Sequence, residues 1–233
     1  MTLKELSVNE IYLTFRVRAA SHSDSIENTS KIFKQVPCGN DIRYHLHKIN
    51  GFEELEKQLN LSLKSRIFPR LKKKKLKLAI DLNLIPCYGD PSFEELPYIY
   101  RSQGKSGTCS FYAYATLYVI KKGKGVTLAI RGVRWLDTSV AILTYLLASL
   151  DSLKIQVKTL YLDRGFFSVP VTHWLKALDI PFIMPAIRRG KKRGIKQLLT
   201  GKKSYRTFYT ISRGNDDLVL FDLWIICKYR KGK

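Results

Sequence analysis

One stretch constrains the fold more than any other: Leu76 to Pro86, LKLAIDLNLIP, in which Leu76, Leu78, Ile80, Leu82 and Leu84 alternate with Lys77, Ala79, Asp81 and Asn83. This is the period of a pleated strand, with five large apolar side chains on one face. The opposite face carries Asp81 near its middle. A carboxylate inside such a strand is costly to bury unless it is paired or coordinates a metal. It therefore has two readings, an edge-strand charge facing water or a ligand.

The charge balance bears on that choice. The chain has 41 Lys and Arg against 19 Asp and Glu, a net charge of +22 over 233 residues. Such an excess favours a polyanionic partner, nucleic acid first, because each neutralised phosphate releases counterions. An anionic membrane surface ranks second, since no basic amphipathic helix stands out. No apolar run is long enough to span a bilayer, and the first twenty or so residues are too polar for a signal peptide, so the expected location is the cytoplasm, with the nucleoid implied by a DNA partner. Cys38, Cys87, Cys109 and Cys227 form no CxxC pair and read as reduced thiols; Cys38 with His45 and His47 lacks a fourth zinc ligand.

Residues 1–70 read as a mainly helical region. Asp24 and Glu27 have capping-box spacing, Pro37 and Gly39 end that helix, and Asn40 caps a second one over Asp41 to Ile49. Two short helices around a Gly-containing turn suggest a helix-turn-helix, with Arg43 and Lys48 touching DNA; an ordinary helical hairpin fits equally well. Phe52 to Leu63 is a further amphipathic helix. The run Lys72, Lys73, Lys74 and Lys75 marks the boundary to a second domain, 71–233, and can grip a phosphate backbone.

After Asp81 the loop at 86–91 leads to two strands, Phe111 to Ile120 and Val126 to Val133. Asp137 or Thr138 then caps a buried helix, Ile155 to Leu162 is a strand ending at Asp163, Ser168 caps another helix, and Phe182 to Met184 is a short strand. Three strands followed by alternating helix and strand describe an α/β domain with a mixed five-stranded sheet and helices on both faces. If the first and fourth strands are parallel neighbours, Asp81 and Asp163 approach each other, and two such carboxylates are held together by a divalent cation.

The motifs LAIDLNLIPCYGDP around Asp81 and LYLDRGFFS around Asp163, in this strand order, resemble the DDE transposases of insertion sequences. The resemblance implies a ribonuclease H-like catalytic domain in which Asp81 and Asp163 hold Mg²⁺ or Mn²⁺. It implies cleavage at the ends of an element, strand transfer into target DNA, and a homo-oligomer assembled on DNA. Arg164, next to the second Asp, either touches phosphate beside the metal site or caps the strand end, and the basic stretch Arg188, Arg189, Lys191, Lys192 and Arg193 is a DNA-binding one. Residues 186–233, with strands at Tyr205 to Ile211 and Leu218 to Cys227, resemble part of the β-rich insertion of some of these enzymes. The family's third acid, a Glu on a late helix, has no counterpart: Asp216 and Asp217 sit in a turn and Asp222 in a strand. The expectation is a transposase truncated before that acid; the alternatives are a catalytically inactive DNA-binding fragment and a ribonuclease H-like nuclease. Trp135 and Trp224 read as core, and His173, Tyr112, Tyr114 and Tyr118 as packing.

Overall fold

A computed structural model describes residues 38, 40, 41, 44, 51–65, 67, 69–121, 125–188, 194–201, 203–214 and 217–227. The chain divides into two compact units, Met1–Gln58 and Leu59–Lys233. In the first, Asn40, Asp41 and Tyr44 are helical. Ahead of them the Cys38 thiol donates to Asp41 Oδ2 at 3.1 Å, and the Asp41 N–H donates back to the sulfur at 3.5 Å. Arg43 and Lys48, and with them the helix-turn-helix reading, lie outside the described residues. Helix α1, Gly51–Ser65, crosses the division.

The second unit is an α/β structure built on a six-stranded mixed sheet. Strand β1, Lys75–Pro86, runs through its centre. It pairs antiparallel with β3, Thr108–Val119, from Leu78↔Val119 to Pro86↔Phe111, and parallel with β5, Gln156–Leu162. The far edge of β3 is shared: β4, Val126–Val133, takes Ala113 to Val119, and β2, Ile99–Lys105, takes Ser110 to Tyr112. Beyond β5 lies the short β6, Phe182–Ile183, also parallel.

Strand β2 makes the sheet six-stranded where the sequence pointed to five. Its stretch Arg101 to Lys105 has no apolar alternation, so periodicity is silent there. The turn after it decides the matter. Ser106 and Gly107 both have positive φ, 52° and 78°, the backbone of a two-residue hairpin turn, which folds β2 back on β3 with Lys105 opposite Thr108.

The core lies on the face that carries Leu78 and Ile80, both essentially inaccessible. Their register partners Val119, Leu117, Leu160 and Leu162 are buried beside them. Helix α2, Ser139–Ala148, adds Ile142, Leu143 and Leu146, and helix α3, Val169–Ala177, adds Val171 and Leu175. Each such side chain contributes roughly 1.5–3 kcal/mol by leaving water. Thr138 caps α2 by accepting from the Ala141 N–H at 3.1 Å, while Asp137 accepts from the Arg134 N–H. Helix α2 is apolar nearly all round, yet it buries one stripe: Ala141, Thr144, Tyr145 and Ala148 are exposed. Ser168 precedes α3 without a side-chain cap; its carbonyl accepts from the Thr172 hydroxyl at 2.8 Å, which satisfies that fully buried threonine.

Strands β7, Tyr205–Arg213, and β8, Asp217–Ile225, form a separate two-stranded sheet. Its inner face packs Leu223 and Ile225 on Ile195, with Phe221 meeting Phe167 edge-on at 5.7 Å. Among the described residues no helix is long and apolar enough to cross a membrane.

Candidate functional site

The two sequence-predicted acids are brought together by strand register. In the parallel β1–β5 pair, Ala79 lies beside Tyr161 and Ile80 beside Leu162. Asp81 and Asp163 are the next position on each strand, and Asp163 keeps extended backbone, φ −71° and ψ 160°. Neighbouring strands are about 4.8 Å apart, and register neighbours leave a sheet on the same face. Both carboxylates therefore emerge on the face opposite the Leu78–Ile80 core.

Their surroundings differ. Asp81 is half-buried with Thr116 beside it on β3, one residue past Ile80, the last residue of β1 paired with β5. Asp163 is exposed at the strand end, where its Oδ1 accepts from the Arg164 N–H at 2.6 Å and caps the short 3-10 turn Arg164–Phe166. One carboxylate oxygen is thus committed to the backbone. A β-carbon added at Gly165 would sit 3.8 Å from Asp163 Oδ2, an ordinary van der Waals contact. Arg164 is exposed next to it.

Two carboxylates on one face suit Mg²⁺, which keeps several waters and is held by one or two carboxylates plus substrate phosphates. Among the described residues no third His, Cys, Asp or Glu joins them in a group that could hold a metal. Asp222 is engaged elsewhere, gripped by both ends of the Arg206 guanidinium at 2.8 and 3.1 Å. Asp217 sits at the start of β8, paired with Arg213 in the register of the separate sheet. Asp216 lies outside the described residues, as do Arg189, Lys191, Lys192 and Arg193. Arg188 is exposed, and so are Lys72, Lys73, Lys74 and Lys75.

The face shared by Asp81 and Asn83 continues into tyrosines: Tyr118, Tyr114 and Tyr112 stand beside Ala79, Asn83 and Ile85, all three half-buried. Tyr112 does more than pack. Its hydroxyl donates to Glu95 Oε1 at 2.9 Å, and Glu95 Oε2 accepts from the Ser92 N–H at 2.8 Å, which fastens the loop after β1 onto the sheet. Burial, reinforced by the Glu95 carboxylate, pushes the Tyr112 phenol up to about 12. The Ser92 backbone, then the Tyr112 hydroxyl, hold the Glu95 carboxyl below its usual value. Sequence reading missed this anchor because Glu95 lies in an irregular loop whose docking no periodicity encodes.

Three aromatic or polar side chains read as interior are on the surface. Trp135 is 65% exposed in the turn after β4, and Trp224 is 67% exposed on the outer face of β8 with the Arg206 guanidinium 5.8 Å from its ring centre. His173 is exposed on α3. In each case the residue type favours burial but the element turns that position outward.

No family profile matches the sequence, and no curated protein matches it. Among solved structures, the chain is similar to the piggyBac transposase in a synaptic complex with hairpin DNA, at 12% identity and a TM-score of 0.38, covering 92% of this chain and 46% of that one. The chain thus spans less than half the length of that neighbour. A likeness at this level carries no argument about function, which rests on the site alone.

Proposed function

We propose that this chain is a DNA transposase of the DDE type, with a ribonuclease H-like domain in which Asp81 and Asp163 hold Mg²⁺ or Mn²⁺ for phosphodiester cleavage and strand transfer. One observation carries the reading: in the parallel β1–β5 pair Ile80 lies beside Leu162, and the two acids are the next residue on each strand. The order β4-β3-β1-β5-β6, with β1 antiparallel to β3 and parallel to β5, supports the ribonuclease H-like assignment. The net charge of +22 supports DNA, as element ends and target, for the partner.

When bound, the metal would polarise the scissile phosphate and favour the attacking oxygen, the usual contribution of such ions to displacement at phosphorus. The chain's own residues supply position. Asp81 is fixed because its strand is paired on both edges, and Asp163 because its Oδ1 is tied to the Arg164 N–H. Fixed carboxylates cost little reorganisation during reaction. Arg164, exposed beside Asp163, is placed to neutralise a phosphate oxygen of the bound strand.

A specific observation favours a second reading, a DNA-binding protein without cleavage: no third carboxylate joins the pair among the described residues. The two readings part in one experiment. Full-length protein is incubated with DNA carrying the element ends and Mg²⁺ or Mn²⁺, beside Asp81→Asn and Asp163→Asn. Metal-dependent strand cleavage lost in both variants supports the transposase; DNA binding with steep salt dependence and no cleavage supports the second reading. Cleavage that survives either substitution removes that residue from the chemistry.

A further inference from the structure

We propose that the end of the sheet away from the carboxylate pair is a separate binding surface for the phosphate backbone of duplex DNA, centred on Lys73, Lys74, Lys77, Lys121 and Lys154. These lysines are scattered in sequence and gathered by pairing. The Gln156 N–H donates to the Lys74 carbonyl at 2.9 Å and the Lys73 N–H to the Leu153 carbonyl at 3.5 Å, which sets the lysine run against the turn carrying Lys154. On the other edge of β1 the Ile120 N–H donates to the Lys77 carbonyl at 2.9 Å and brings Lys121 alongside. The register of β1 and β5 steps from Leu76↔Val157 to Lys77↔Thr159, so Lys158 is an extra bulged residue, also exposed, at the same end.

Three features make this more than a solvated charge run. Every one of these side chains is exposed, and none is ion-paired with another described residue. The acids in the flanking turns are Asp151 and Asp179, far too few to neutralise the group. Moreover, Lys73 and Lys154 both sit in left-handed backbone, φ 58° and 53°, on the two turns that face each other. Glycine is the low-cost residue at such positions, so a lysine at both is an observation in want of a reason.

The partner follows from what surrounds the charges. A membrane surface would want apolar side chains beside the lysines, to enter the acyl boundary. Here Leu71, Leu153 and Ile155 are buried and Leu76 is half-buried, leaving Ile120 as the exposed apolar residue of these segments. A hydrophilic array of point charges across three strands, about 10 Å wide, instead suits about three successive phosphates of a nucleic-acid strand. Lys77, the member of the group nearest the carboxylates, lies about 13 Å along β1 from Asp81 and the others lie farther, so this contact is distinct from any made at the carboxylates. It holds whether or not the chain cleaves DNA.

The test is binding of the full-length chain to a short labelled duplex, by fluorescence anisotropy, in chelator and across a series of salt concentrations. The variant combines Lys73→Gln, Lys74→Gln, Lys77→Gln and Lys154→Gln; a control neutralises the exposed Lys64, Lys105, Lys196 and Lys203. We expect the slope of log K against log salt to fall by about three in the first and by less than one in the second. A double variant at Lys73 and Lys74, expected to lose about two, keeps the test decisive if the quadruple variant misfolds. Equal losses in variant and control would overturn the proposal, since net charge alone would then explain binding. Loss of binding to phosphatidylserine vesicles with an unchanged DNA slope would overturn it in favour of a membrane. Binding is read in chelator, without divalent metal, so failure of the metal reading and failure of this one are seen separately.

Discussion

Asp163 carries two duties that one pair of substitutions separates. Its Oδ1 caps the turn Arg164–Phe166 through the 2.6 Å bond from the Arg164 N–H, and its charge serves the proposed metal site. Asn retains a side-chain acceptor at the cap, so Asp163→Asn should change stability by only a few tenths of a kcal/mol, whereas Asp163→Ala loses the cap and about 1 kcal/mol. For a chain of this size that is a fall in Tm of roughly 2–4 °C. Metal binding is read in the same melts. At Mn²⁺ ten times its Kd, binding to the native state adds about 1.4 kcal/mol, a rise of roughly 3–6 °C in the unsubstituted protein. Asp163→Asn should keep the metal-free Tm and lose the rise; Asp163→Ala should lose both. Asp81→Asn should lose the rise as well. An undiminished Mn²⁺ shift in Asp163→Asn would refute the placement of metal at this pair, whatever the DNA assays gave.

Three further outcomes follow from the packing. Leu160→Ala empties a fully buried site between β1 and β6 and should cost about 3 kcal/mol in denaturant melts; a loss under about 1 would mean that the core is not centred on β5. Asn60 both donates to and accepts from the backbone of Ile130, each at 2.8 Å, on the outer edge of β4; Asn60→Ala should cost about 1–3 kcal/mol and Asn60→Asp, which keeps the acceptor, less. The Tyr112–Glu95 bond sets two pH limits. Because the Tyr112 pKa is raised from 10.0 to about 12, its contribution is complete below 10.0 and is lost as pH climbs through about 12. Because the Glu95 pKa is lowered from 4.5, its contribution is present above 4.5 and is lost as pH falls through the lowered value. Tyr112→Phe should flatten the alkaline limb of stability against pH, and an unchanged limb would assign it to another group.

Local pattern carried much of the fold into view. The alternation in Leu76 to Pro86 places β1, and the run of apolar and β-branched residues in Phe111 to Ile120 places most of β3, because a half-buried strand needs the same residue types wherever it sits. Thr138 and the strands flanking Gly214 were legible for the same reason: caps and turns are set by the backbone needs of a few adjacent residues. Strand β2 was not, since its place depends on an edge that β3 offers and on the Ser106–Gly107 turn, with almost no apolar signal of its own. Nor was the outward setting of Trp135, Trp224 and His173, because burial belongs to a position on a packed element and not to a residue type.

The sequence by itself determined the central strand, the excess of positive charge and the identity of the two acids. Tertiary structure alone decided that Ile80 pairs with Leu162, and hence that Asp81 and Asp163 are neighbours. It alone gathered lysines from four segments at the other end of the same strand. The physical reason is common to both. Periodicity records which side of an element is dry, but register between strands distant in the chain is settled by packing over the whole sheet. A one-residue slip between β1 and β5 would preserve each strand's local pattern and turn the two carboxylates to opposite faces.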